Sequence, residues 1–127
     1  MKITFLGGAG GVTGSKTLLE IGAEKYLVDY GLYQGSAEHR ERNWIQFQGA
    51  SKLTALFLTH AHIDHSGLLP RLWKDGFRGS IYCTPETHEL CKILLNDSAK
   101  IHEEDASYAN KKKYSRHKPA LPLYTQE

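Results

Sequence analysis

An apolar run (Leu53, Ala55, Leu56, Phe57 and Leu58) ends at Thr59, and His60-Ala61-His62-Ile63-Asp64-His65 follows without a spacer. A nearly continuous apolar stretch of this length reads as a strand over Lys52–Thr59, covered on both faces. The strand places the histidines at its carboxyl end, where sites on open α/β sheets lie. Imidazole and carboxylate suit Zn²⁺ and need no thiolate. A zinc helix carries its histidines at i, i+4, whereas here the spacing is i, i+2, so a loop must carry them. In an extended or turning stretch His60 and His62 point to one side and can share a metal. Asp64 and His65 lie farther along and can reach a second.

The rest of the chain supplies alternating elements. Lys2–Leu6 reads as a strand, Gly7–Ser15 as a glycine-rich loop, and Lys16–Ile21 with Lys25–Asp29 as a hairpin about Gly22-Ala23-Glu24. Gly31–Gly49 is polar and reads as loop with a little helix. Ser66 is a candidate cap for a helix carrying Leu68, Leu69, Leu72 and Trp73 and stopping at Gly76. Ile81–Cys83 is a short strand. Thr84 and Pro85 then mark the start of a helix running to about Lys112, with Leu94, Ser98, Ile101, Asp105 and Tyr108 on one stripe. Strands alternating with helices give an α/β layered domain. Pro119–Glu127 is too apolar for a disordered polar tail and reads as an interrupted segment.

Composition sets limits. A net charge of +2, from 16 basic and 14 acidic residues, does not by itself argue for nucleic acid. Cys83 and Cys91 form neither a disulfide framework nor a four-thiolate site, so both read as buried reduced thiols of a cytoplasmic protein. No run approaches a membrane span. His39, His88, His102 and His117 lack motif context and read as surface or capping residues. The glycine loop is not a P-loop, because Lys16 follows Ser15 rather than glycine, and Thr13 stands where a dinucleotide fingerprint needs its third glycine. An anion-binding backbone nest near the metals is compatible with it.

His60–His65 is similar to the signature of the metallo-β-lactamase superfamily, and Asp29 resembles that superfamily's first motif. Four flanking segments, Gly8–Ser15, Asp29–Gly35, Leu58–Pro70 and Asp97–Ile101, resemble the β-CASP branch of RNA-processing nucleases. The resemblance implies the N-terminal half of an αββα sandwich, with a mixed sheet and flanking helices. It also implies two zinc ions in the complete protein. His60 and His62 would lie on one ion, with Asp64 and His65 on the other. Asp64 would also handle the proton of the attacking water, and Asp29 would orient a ligand from behind. The substrate would be RNA, cut by a zinc-activated hydroxide. The remaining ligands, the leaving-group acid and the β-CASP domain would lie beyond residue 127. The isolated chain would then bind zinc weakly and cleave no RNA, and it would either self-associate through an apolar face fed by strands such as Leu53–Leu58 or be a piece of a longer protein. A basic stretch, Lys111–Lys118, is compatible with a phosphate backbone. The histidine cluster alone also fits a hydrolase of thioesters, lactones or lactams. A metal-free scaffold is the non-enzymatic alternative.

Overall fold

A computed structural model describes residues 1–114 and 119–127. Five strands form one sheet in the order β1-β2-β3-β4-β5. They are β1 Lys2–Gly7, β2 Lys16–Ile21, β3 Glu24–Val28, β4 Ala55–Phe57 and β5 Ser80–Tyr82. The first two pairings are antiparallel and the last two parallel, so the sheet is mixed. It follows that β1, β3, β4 and β5 run the same way, and their carboxyl ends share one edge of the sheet. The β2–β3 hairpin turns at Gly22, whose φ of 61° favours glycine.

The two faces differ. The ladder Thr4–Leu18–Leu27–Leu56–Ile81 crosses all five strands, and its centre, Leu27 and Leu56, is completely buried. Leu53, Leu58, Leu72, Phe77, Cys91, Ala99 and Tyr124 join these two in one core. The opposite ladder, Phe5–Thr17–Val28–Phe57–Tyr82, is open. Phe5, Phe57 and Tyr82 are exposed on it, with Phe57 stacked 5.5 Å from Tyr82. The exposed apolar face is therefore the ladder of Phe57. Leu53, Leu56 and Leu58 are all buried in the core, contrary to the expectation that they feed the open face.

Strand β4 is shorter than the apolar run predicts and is not covered on both faces, because Phe57 is exposed. Leu53 and Leu58 are buried outside the three-residue ladder. The helices are α1 Ala37–Glu41, α2 Ile63–Ser66, α3 Leu69–Lys74 and α4 Pro85–Lys112, with 3-10 turns at Arg42–Trp44 and Ala50–Lys52. Ser66 caps nothing. It ends α2, and its hydroxyl donates to the carbonyls of Ala61 (2.8 Å) and His62 (3.1 Å). Thr84 does cap α4, accepting from the Thr87 amide, with Pro85 at the first position.

The buried residues of α4 are Thr87, Cys91, Ser98, Ala99, Ala106 and Ala109, a stripe beside the expected one. Ile101, Asp105 and Tyr108 face solvent. Small residues on the inner face let the segment after α4 pack back on the helix. Asn110 and Ala120 exchange two hydrogen bonds, and the Tyr124 hydroxyl donates to Ser98 Oγ at 2.9 Å. Cys91 is buried but Cys83 is exposed, against expectation. His117 and residues 115–118 of the basic stretch lie outside the described residues. Among the described residues no helix is long and apolar enough to cross a membrane.

Candidate metal centre

Strand β4 ends at Phe57, and the chain then turns at the carboxyl edge of the sheet. His60 and His62 lie on the irregular stretch after the strand, while Asp64 and His65 fall within α2. The motif is thus divided between loop and helix, where the spacing alone predicted loop throughout. The fold brings the three imidazoles together. The His60 ring centroid is 4.7 Å from that of His62 and 4.1 Å from that of His65. Asp64 Oδ2 lies 3.5 Å from His65 Nε2.

Asp29 stands behind them. It follows β3 directly, is buried, and takes a left-handed backbone with φ of 61°, a region asparagine and aspartate enter more readily than other side-chain-bearing residues. Its carboxylate accepts from the Thr59 amide at 2.8 Å, from the Thr59 hydroxyl at 2.9 and 3.1 Å, and from His65 Nδ1 at 2.7 Å. The Thr59 hydroxyl also meets His60 Nδ1 at 2.9 Å. A hydroxyl has one proton. With that proton directed at Asp29, His60 Nδ1–H must donate to the threonine oxygen. Both His60 and His65 then carry hydrogen on Nδ1 and a lone pair on Nε2, the arrangement that prepares a histidine to bind a metal.

The backbone of the motif is held by Ser15, Tyr30 and Leu32. Ser15 N–H donates to Asp64 O, Tyr30 N–H to His65 O, and Leu32 N–H to Ile63 O, at 2.9, 2.9 and 3.0 Å. Gly31 must be glycine because a Cβ there would overlap the Asp64 carbonyl. Its amide donates to Ser15 O at 2.9 Å. Lys16 joins the two supporting segments from inside. Its ammonium donates to Gly31 O at 2.7 Å and Gly14 O at 3.2 Å and sits 4.0 Å over the Tyr33 ring. Burial pushes this lysine down to about 7.

Thr59, Gly31 and Lys16 were not singled out from the sequence, because each acts through a partner distant in the chain. Of the other histidines, His39 and His88 are exposed. His102 is half-buried against Tyr124, and burial lowers its pKa. Among the described residues no three His, Cys, Asp or Glu side chains present a preformed ligand set. The donor types and the free Nε2 positions nevertheless fit zinc.

Comparison with known proteins identifies the family. Residues 9–124 match the sequence pattern of the metallo-beta-lactamase superfamily. The chain is 41% identical over 104 residues to Ribonuclease TTHA0252 of Thermus thermophilus, covering 82% of this chain and 24% of that protein. It is 36% identical over 99 residues to the Transcription termination factor FttA of Methanosarcina mazei, covering 76% of this chain and 16% of that protein. The chain thus spans a quarter or less of the length of these relatives. Human tRNase Z, short form, is a structural neighbour with a TM-score of 0.48 and 24% identity, covering 77% of this chain and 40% of that one. The two sequence relatives, the ribonuclease and the termination factor, agree with the β-CASP resemblance of the flanking motifs. The chain belongs to the metallo-beta-lactamase superfamily.

Proposed function

We propose that this chain is part of a zinc-dependent hydrolase that cleaves RNA phosphodiester bonds. The observation that carries the reading is the network Asp29–Thr59–His60 with Asp29–His65, which sets two imidazoles with Nε2 free beside the Asp64 carboxylate. The RNA assignment is supported by the ribonuclease among the relatives. His60 and His62 would hold one zinc ion, and Asp64 with His65 a second. Zinc so bound supplies an activated water near neutral pH and neutralises charge on a phosphoryl oxygen.

The chain's own residues do the rest. Asp29 locks the His65 tautomer directly and that of His60 through Thr59. Asp64 is held at its carbonyl by the Ser15 amide, and its carboxylate, 3.5 Å from His65 Nε2, would accept the proton of the attacking water. The main-chain bonds from Ser15, Tyr30 and Leu32 keep these groups from drifting.

His62→Ala in the full-length protein tests this. The His62 side chain is exposed and makes no hydrogen bond among the described residues, and the bonds its carbonyl accepts survive truncation, so its loss leaves the fold intact. RNA cleavage should fall below detection, while RNA affinity changes much less, because phosphate contacts dominate binding. Retained cleavage with unchanged zinc content overturns the proposal.

A further inference from the structure

A groove of about 960 Å³ has the glycine loop, residues 7–13, as its long wall. Its opposite wall includes Gln34, His39 and Arg42. The walls are stitched at the base: the Gln34 amide donates to Thr13 Oγ1 at 3.0 Å, and Thr13 Oγ1 lies 3.4 Å from Gln34 O. Among the described residues no Asp or Glu lines the groove, although Glu38 and Glu41 share a shallower hollow with Arg42. The loop that walls the groove leads through Gly14 into Ser15, whose amide holds the Asp64 carbonyl, so one short stretch of backbone joins groove and site.

Gly11 is the telling residue. Its φ is not left-handed, and a Cβ there would meet nothing within 4 Å. Neither the turn nor the packing of this chain requires glycine at this position. Ala9, Gly10 and Val12 are exposed, and among the described residues their amides have no hydrogen-bond partner. A bare backbone with open donors, facing a guanidinium across a groove free of carboxylates, suits a phosphodiester backbone approaching closely.

We propose that this groove binds the phosphodiester backbone of single-stranded RNA next to the scissile bond, through the amides of Ala9, Gly10 and Val12 and the guanidinium of Arg42. The proposal rests on the RNA reading of the site.

The test uses the full-length protein loaded with zinc and a fluorescein-labelled single-stranded RNA of about 12 nucleotides, a span within the usual range for such sites. Gly11→Val fills the approach to the backbone, and Arg42→Gln removes the charge. Each should raise Kd about tenfold, and Arg42→Gln should reduce the slope of log Kd against log salt by about one. Zinc content and melting temperature should match wild type. Should Gly11→Val fail to fold, Arg42→Gln and Gly11→Ala decide. Variants that bind within about twofold of a wild type that itself binds RNA overturn the groove and leave the RNA reading standing. A wild type that binds no RNA overturns both.

Discussion

Residues 8–13 and residues 60–68 both leave the carboxyl edge of the sheet, yet their backbones are treated oppositely. The histidine-bearing segment is tied down. Carbonyls of Ile63, Asp64 and His65 accept amides from Leu32, Ser15 and Tyr30, and a Cβ at Gly67 would crowd Ile63 and Leu32. The glycine loop makes one internal backbone bond, Gly11 N–H to Gly8 O at 3.3 Å, and Gly10 and Gly11 stand in open space. Glycine in the first region, and at Gly31 beside it, permits close packing within the chain. Gly11 in the second leaves room for something outside it. One residue type therefore carries two meanings at one sheet edge, and only three-dimensional context separates them.

The comparison breaks most sharply at Gly31. Gly31→Ala should destabilise by at least about 3 kcal/mol, since the clash is with main chain that cannot turn aside. Urea melts of the two proteins measure this. A loss under about 1 kcal/mol would mean that the tied segment yields as easily as the bare loop.

Asp29 should come next. Asp29→Ala leaves the Thr59 amide and the His65 Nδ1–H without their acceptor, at a cost of about 2 kcal/mol. It also frees the His65 tautomer, so zinc affinity in the full-length protein should fall about tenfold or more. Unchanged zinc affinity would reduce Asp29 to a packing residue.

A different kind of effect, one of pH, is expected at Lys16, where the two regions join. The folded pKa is lowered to about 7 from 10.5. Between those values the unfolded chain holds a proton that the folded chain has released. Stability contributed by this group therefore rises with pH from about 7 upward, and below 7 the full cost of burying the ammonium is felt. Wild type should gain stability relative to Lys16→Met between pH 7 and pH 10. Parallel curves would show that Lys16 stays charged in its carbonyl and tyrosine cage.

Parts of this arrangement were legible in the sequence. Glycine punctuation marked β1, β2 and β3 to within a residue or two, because turns with positive φ, as at Gly22, advertise themselves. Thr84-Pro85 marked the start of α4 through its cap. The grouping of His60, His62, Asp64, His65 and Asp29 followed from a dense motif and a family resemblance.

What escaped depends on contacts between distant residues. The run from Leu53 to Leu58 reports burial, and burial extends beyond the three residues that pair in β4. Ser66 has the composition of a cap, but α2 already starts at Ile63, so its hydroxyl turns back to the Ala61 and His62 carbonyls. On α4 the periodicity was right and the phase was wrong. Alanines at 106 and 109, weak in a hydrophobic pattern, cluster with Ala120 of the returning chain, and Ala99 is buried on the same helix. Thr59 looked like a strand end until Asp29, thirty positions earlier, arrived beside it.

The bonds from Ser15, Tyr30 and Leu32 to the carbonyls of residues 63–65 also govern entropy. Immobilising a residue's backbone costs about 1–2 kcal/mol at room temperature. Here that ordering is completed when the sheet edge forms, before anything binds. A ligand arriving at His60, Asp64 and His65 restricts only side-chain torsions, two of which, in His60 and His65, are already pinned through Nδ1. The unfavourable entropy of assembling the site thus belongs to folding, and affinity there depends chiefly on the number and chemistry of the donor atoms.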